Sequence, residues 1–303
     1  MELFVNLLFS GLTRGSIYAL LALGYTMVYG IIQLINFAHG EIYMIGAFTA
    51  LIMTSVFTIL GLPQIAIVAL ALLIAVIWSS MYGITLDKVA YKPVRNAPRL
   101  SALISAIGMS LFLQNYVRLA QTSDFLPFPR LIPRLSFLDS ISGLNSSQFV
   151  IFVTTAVVMV LLTILIKFTR IGKSMRAAAQ DRMMAMLSGV NVNRVIGITF
   201  LIGSATAAIG GVLISAHIGQ INFYIGFLAG IKAFVAAVLG GIGSIPGAVL
   251  GSFVLGLTES YGRVTSRVTT KMCSHSYFWW LFSFSDRPVS SARRQRRRCR
   301  RPE

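Results

Sequence analysis

Charge is what this sequence is shortest of. Acidic residues number 9 in 303, and charged residues of both signs make up 12%, where a soluble domain carries about a quarter. Cysteine is almost missing too. The two present, Cys273 and Cys299, fall in the last stretch, where they support neither a disulfide framework nor a metal site. His39 has no second His or Cys at ligand spacing, which argues against a metal role. No Walker A sequence occurs: "GGIGSIPG" (residues 240–247) lacks the Lys-Ser/Thr pair and has no strand before it. No Ser/His/Asp set or paired carboxylates suggest an enzyme. The first residues lack the basic region and cleavage pattern of a secretory signal, so the first segment is expected to be retained. No folded basic surface points to nucleic acid.

What is present is apolar sequence in long runs. No Asp, Glu, Lys or Arg occurs in 15–40, 42–86, 100–117, 140–166, 195–231 or 233–258. About 20 apolar residues span a bilayer as a helix, and a helix buried in a soluble protein keeps polar positions at helical spacing. The chain therefore reads as an all-α polytopic membrane protein. About eight transmembrane helices are expected, near 15–35, 42–60, 64–85, 100–120, 149–167, 195–215, 224–242 and 246–262. Gly61-Leu62-Pro63 breaks the longest window, with Pro63 at a helix start, where its missing N–H is no loss.

Lys and Arg set the orientation. Residues 86–99 hold Lys88, Lys92, Arg95 and Arg99 against Asp87. Residues 167–182 hold Lys167, Arg170, Lys173, Arg176 and Arg182 against Asp181. The loop 121–148 is balanced: Arg130 and Arg134 against Asp124 and Asp139. The positive-inside rule puts the first two stretches in the cytoplasm and the loop outside. The N-terminus then lies outside, unless residues 3–12 form an extra partial helix.

One motif occurs twice. Ile35-Asn36-Phe37, Gly40, Ala47 and Phe48 match Ile221-Asn222-Phe223, Gly226, Ala233 and Phe234, all 186 residues apart. Repeated, glycine-interrupted membrane segments point to a transport site. A helix that breaks inside the bilayer exposes backbone groups that only protein or water can satisfy. Two readings stand. In one, Asn36, His39, Gly40, Glu41, Asn222 and Lys232 line a solute pathway along discontinuous helices. In the other, Asn36 and Asn222 are helix caps at the membrane surface.

Residues 174–194, "SMRAAAQDRMMAMLSGVNVNR", are of another kind. Strong helix formers carry mixed charge. Ala178, Met183, Met184 and Leu187 can form one apolar face, and Gly189 can end the helix. Such a segment either docks in a partner's groove or lies on the membrane interface. Gly243, Gly247 and Gly251 form a small-residue row suited to close helix packing.

"GSIYALLALGYTMVYGIIQLINFAHGEIYMIGAF" (15–48), "LISAIGMSLFLQNYV" (103–117) and "NFYIGFLAGIKAFVAAVLGGIGSIPGAVLGS" (222–252) resemble the permease subunits, of the H type, of bacterial ATP-driven (ABC-type) importers for branched-chain amino acids. The resemblance covers roughly residues 5–262. It implies a multi-pass protein of the bacterial cytoplasmic (inner) membrane with no cofactor of its own, ATP being bound by partner subunits. The partners implied are a second homologous permease, two cytoplasmic ATPase subunits, and a periplasmic or lipid-anchored binding protein that delivers leucine, isoleucine or valine. It also implies that Arg176, Ala178, Ala179, Gln180, Asp181 and Gly189 belong to the ATPase contact. Urea or short amides are the alternative solutes within the same family, and an ion-coupled transporter or channel is the alternative class.

The match stops near Gly262. The family pattern calls for one more apolar helix, but the longest apolar run beyond it, 277–284, is too short to span. Residues 261–303 hold 11 basic and 2 acidic residues. The expected organisation is a transmembrane domain over 1–262 and an aberrant basic tail over 263–303, disordered at 286–303 and consistent with a shifted reading frame.

Overall fold

Ten α-helices account for most of the described backbone in the computed structural model, which describes residues 2–95, 97–129 and 145–265. The middle of the outer loop and the tail from 266 onward, with the expectations attached to them, lie outside the described residues. The helices are α1 (Glu2–Ile32), α2 (His39–Ile59), α3 (Gln64–Leu86), α4 (Arg99–Ala120), α5 (Ser146–Phe168), α6 (Arg170–Gln180), α7 (Arg182–Leu187), α8 (Val192–Ile218), α9 (Ile225–Leu239) and α10 (Ile245–Thr265). Two two-residue strands, β1 (Leu126–Pro127) and β2 (Gln220–Ile221), pair antiparallel.

Among the described residues, six helices are long and apolar enough to cross a membrane: α1, α2, α3, α4, α5 and α8. With 15 residues, α9 is about 22 Å long, shorter than the hydrocarbon core. The first helix starts at Glu2 rather than near 15, so residues 3–12 are its continuous beginning and not a separate piece. Charge-free counting missed them because Arg14 interrupts the window. Its guanidinium lies 3.7 Å from the Glu259 carboxylate, and a paired charge is tolerated inside a bundle. Past Leu86, α3 continues into a π-helical turn, Asp87–Tyr91, closed by Lys92 N–H bonding to the Asp87 carbonyl at 2.8 Å.

The long helices pack through small residues, as membrane helices do. A side chain at Gly46 would strike Ala208 on α8, and one at Gly83 would strike Ser204 on the same helix. Gly11 and Gly15 on α1 lie against Leu257 and Phe253 on α10. The expected small-residue row joins α9 to α10: Gly247 abuts the Gly240 carbonyl, and Gly251 the Ala236 carbonyl. Gly241 (φ +86°) and Gly243 (φ +99°) make the turn between these helices, a conformation open chiefly to glycine. Chain contacts gather residues 1–260 into one unit.

The basic stretches share one end of this unit. Arg95 Nη1 donates to Asn193 Oδ1 at 2.7 Å. At the other end, Phe128 N–H bonds the Gly219 carbonyl at 2.9 Å, and Leu126 pairs with Ile221. The separation matches the sidedness read from Lys and Arg.

Candidate functional site: the helix joints and the cytoplasmic helix pair

Both copies of the repeated motif sit at a break followed by a helix, and the helices start in register. The first residue of α2 is His39 and that of α9 is Ile225, again 186 apart. The turns leading in are alike: His39 N–H bonds the Asn36 carbonyl at 3.1 Å, and Ile225 N–H bonds the Asn222 carbonyl at 3.3 Å. Neither asparagine caps its helix. The N-cap residues are Ala38 and Tyr224, and neither end has a side-chain cap bond.

The two helix starts meet. A side chain at Gly40 would collide with the Gly226 carbonyl, and one at Gly226 would come within about 3 Å of the Gly40 carbonyl carbon. Reciprocal contact between repeat-related residues is what an approximate two-fold relation produces. The helices run in opposite senses: the first break is held at the basic end of the bundle, the second at the end carrying β1 and β2. This is the arrangement of an inverted repeat. The crossing is deep. The His39 ring lies against Gly24, eight residues and about 12 Å before the end of α1.

The first break gathers buried polar groups. Relative exposures are 1% for Asn36, 1% for His39 and 0% for Glu41. Tyr91 donates its hydroxyl proton to Asn36 Oδ1 at 2.8 Å. Ser110 on α4 donates to Glu41 Oε1 at 2.9 Å. The ring of Tyr25 stands edge-on to His39 with centroids 4.9 Å apart. Glu41 Oε2, His39 Nε2 and Asn36 Nδ2 have no hydrogen-bond partner among the described residues, nor does Gln114 Nε2, one turn beyond Ser110. Burying such atoms costs about 1–3 kcal/mol each, and these four gather at one joint. Glu41 also answers a structural need. It lies in the first turn of α2, and its Oε2 lies 2.8 Å from where a Gly226 side chain would begin. One carboxylate therefore faces the positive ends of two helix dipoles.

The two remaining pathway residues lie elsewhere. Asn222 is half-buried in the turn before α9. Lys232 is on α9, where its Nζ pairs with Glu259 at 2.8 Å and donates to the Tyr18 hydroxyl at 3.3 Å. Tyr18 donates to the other Glu259 oxygen at 2.7 Å. Tyr18, Tyr25, Tyr91, Ser110 and Gln114 were missed in the sequence. A readable signal existed only for the last two, a polar pair at i, i+4 inside a charge-free window.

The cytoplasmic segment is two helices rather than one. The Asp181 carboxylate accepts from the N–H groups of Met183 (2.8 Å) and Met184 (3.1 Å). This N-cap bonding competes with continuation of α6 and starts α7 in a new direction. As expected, Gly189 ends the second helix. Its φ is +82°. Val190 N–H reaches the Ala185 carbonyl, and Gly189 N–H the Met186 carbonyl, each at 3.0 Å, which is a Schellman ending. Gly189→Ala is expected to lower the melting temperature in detergent by an amount corresponding to about 1 kcal/mol, because alanine is strained at this φ.

Two faces result. Ala178 is buried, and Arg176 donates to the Ile166 carbonyl at the end of α5. Ala179 is half-buried, while Gln180, Asp181 and Gly189 are exposed. Met183 (62% exposed) and Leu187 (75%), with Met184 and Met186, present an apolar surface; Met186 was missed in the sequence reading. Arg182 ties α7 to the bundle by donating its Nε–H to the Ile31 carbonyl at 3.0 Å. Partial burial, and then the nearby Arg95, push the Arg182 guanidinium down from its ordinary pKa.

Two buried joints lie where inverted helices meet, and Arg182 holds a helix pair at the basic end to one of them. The family model described as "Branched-chain amino acid transport system / permease component" matches residues 7–278. The chain belongs to that family. Among the relatives of this permease is the high-affinity branched-chain amino acid transport system permease protein LivH of Salmonella typhimurium, 50% identical over 262 residues, 85% of each chain. BraD of Pseudomonas aeruginosa, with the same description, is 50% identical over 265 residues, 86% of each chain. LivH of Methanocaldococcus jannaschii, described as a probable branched-chain amino acid permease, is 27% identical over 81% of this permease and 76% of its own length. No solved structure matches. The permease is a multi-pass protein of the inner membrane.

Proposed function

We propose that this permease is one of two homologous membrane subunits in an ATP-driven importer of leucine, isoleucine and valine. Two cytoplasmic ATPase subunits bind the nucleotide, and an external binding protein delivers the solute. The relatives' names support the solute class. The observation that carries the subunit's role is α7. Its four apolar side chains, Met183, Met184, Met186 and Leu187, are each at least half exposed, and its Arg182 holds the carbonyl of Ile31, five residues before Asn36. Movement of a docked ATPase would therefore be transmitted towards the first joint through the packing of α6 against α1 and α8 and the Arg182 hydrogen bond.

The pathway reading of Asn36, His39, Gly40, Glu41, Asn222 and Lys232 belongs to this proposal. The first four are buried at the crossing, so solute meets them only in a state where α2 and α9 have separated. Lys232 also ties α9 to α10 through Glu259 and to α1 through the Tyr18 hydroxyl.

A Met183→Ser/Leu187→Ser variant tests the role. It is expected to melt like the parent permease in detergent, to lose at least tenfold in recovery of the co-expressed ATPase subunits, and to lose ATP-dependent leucine uptake in vesicles. Full ATPase recovery and uptake by this variant would refute the docking face. Uptake of urea without leucine by the parent complex would refute the solute.

A further inference from the structure

Beside the transport machinery lies a cleft of about 270 Å³ between the end of α3, the π-helical turn and the start of α8. Its walls change character with depth. Ile84, Ile198 and Leu201, from the membrane-spanning parts of α3 and α8, form an apolar side. Lys88, Lys92 and Arg194 form the mouth, at the end of the bundle that the charge bias places in the cytoplasm. All three cations are exposed, and no ion pair involves them among the described residues.

The floor is organised differently. Arg95 is nearly buried and pairs with Asp87, and its other nitrogen donates to Asn193. Asp87 is thus already committed, which leaves the mouth a surplus of three positive charges. The π turn contributes to this. Its bonding from residue 92 back to residue 87 widens the helix where Lys88 and Lys92 occur, and such turns are frequent at functional sites.

We infer that the α3–α8 cleft binds an anionic phospholipid of the inner leaflet, with its phosphodiester among Lys88, Lys92 and Arg194 and an acyl chain along Ile84, Ile198 and Leu201. The depth and polarity of the cleft follow those of such a lipid at the membrane surface. Basic pockets between membrane helices on the cytoplasmic side take headgroups of this charge, whereas a soluble phosphate would leave the apolar wall unused. Because Asn193 and Arg194 begin α8, three residues after the end of the Gly189 turn, the lipid would brace the root of the coupling segment. The site does not depend on which solute the permease carries.

The test uses the full chain, purified in detergent and titrated with phosphatidylglycerol or phosphatidylcholine, with bound lipid counted by native mass spectrometry. Phosphatidylglycerol is expected to bind at least tenfold more tightly. Each of Lys88→Gln, Lys92→Gln and Arg194→Gln is expected to weaken it about fivefold, and the triple variant about a hundredfold. Lys173→Gln, an exposed cation outside the cleft, is expected to change nothing. Leu201→Trp, which fills the apolar wall and keeps every charge, is expected to reduce phosphatidylglycerol binding as well. A photoreactive phosphatidylglycerol probe on the unmodified chain is expected to label peptides within 84–95 and 193–201, a readout that survives any folding defect in the variants. Labelling confined to other helices would overturn the inference. So would equal binding of the two lipids, or displacement of the lipid by millimolar inorganic phosphate with Leu201→Trp having no effect, which would mark a soluble-anion site. Loss of ATPase recovery in the triple variant with lipid binding unchanged would assign the cations to the partner instead.

Discussion

Gly40→Val and Gly226→Val are each expected to abolish leucine uptake and to destabilise the permease by about 3 kcal/mol or more, at the upper end of what overpacking costs. The obstacle in both cases is backbone. A side chain at Gly40 meets the Gly226 carbonyl and the Gly230 Cα, and one at Gly226 meets the Gly40 carbonyl. Backbone cannot rotate away as a side chain can, so α2 and α9 must part. The cost of combining the two is the more telling result. Once one substitution has separated the helices, the second meets space already opened, and the double variant is expected to lose little more than either single one. Gly108→Val is the control. Nothing lies within 4 Å of that position, and stability is expected to stay within about 0.5 kcal/mol of the parent. Melting temperature and recovery in detergent check stability, and vesicle uptake checks transport. A Gly40→Val permease that melts like the parent would show that the crossing is not close-packed.

The second large effect concerns Glu259. Its carboxylate holds Lys232, Tyr18 and, at longer range, Arg14. The ion pair with Lys232 is mostly shielded, with side-chain exposures of 17% for Glu259 and 31% for Lys232. Glu259→Ala is expected to cost about 3 kcal/mol, the low end for stranding one member of a buried pair. Removing both charges tells a different story. Glu259→Leu with Lys232→Met is expected to recover most of the loss, because apolar replacements of similar volume often match a buried ion pair. If the double variant is as unstable as Glu259→Ala, Arg14 and Tyr18 carry more of the carboxylate's role than Lys232 does. Thermal melts of the parent, Glu259→Leu, Lys232→Met and the double variant in one detergent supply the coupling energy.

Much of the fold was legible because lipid imposes simple rules. Charge-free length found the six long apolar helices to within a few residues at most ends, but it also counted α9 and α10 among eight spans where six of the described helices qualify. Gly61 and Pro63 marked a true break. The rule failed where a charge was answered by a distant partner: nothing near Arg14 in the sequence says that Glu259 lies beside it. It failed again at Asp181, where one side chain redirected the backbone and made two helices of a segment that reads as one. The repeat was legible as six identities, but the contact between its copies was not. Nothing in the composition says that Gly40 and Gly226 touch. The cap reading of Asn36 failed because Tyr91, from the end of α3, takes the asparagine's oxygen. Such a partner, 55 residues away, leaves no trace in local periodicity.

The two breaks are fastened from opposite faces of the bilayer. Tyr91 and Arg182 hold the first from within the cell, whereas the second is stitched to the outer loop where Leu126 pairs with Ile221. Each break thus has its own fastening on its own face, while the helices that follow them share one close contact, Gly40 against Gly226.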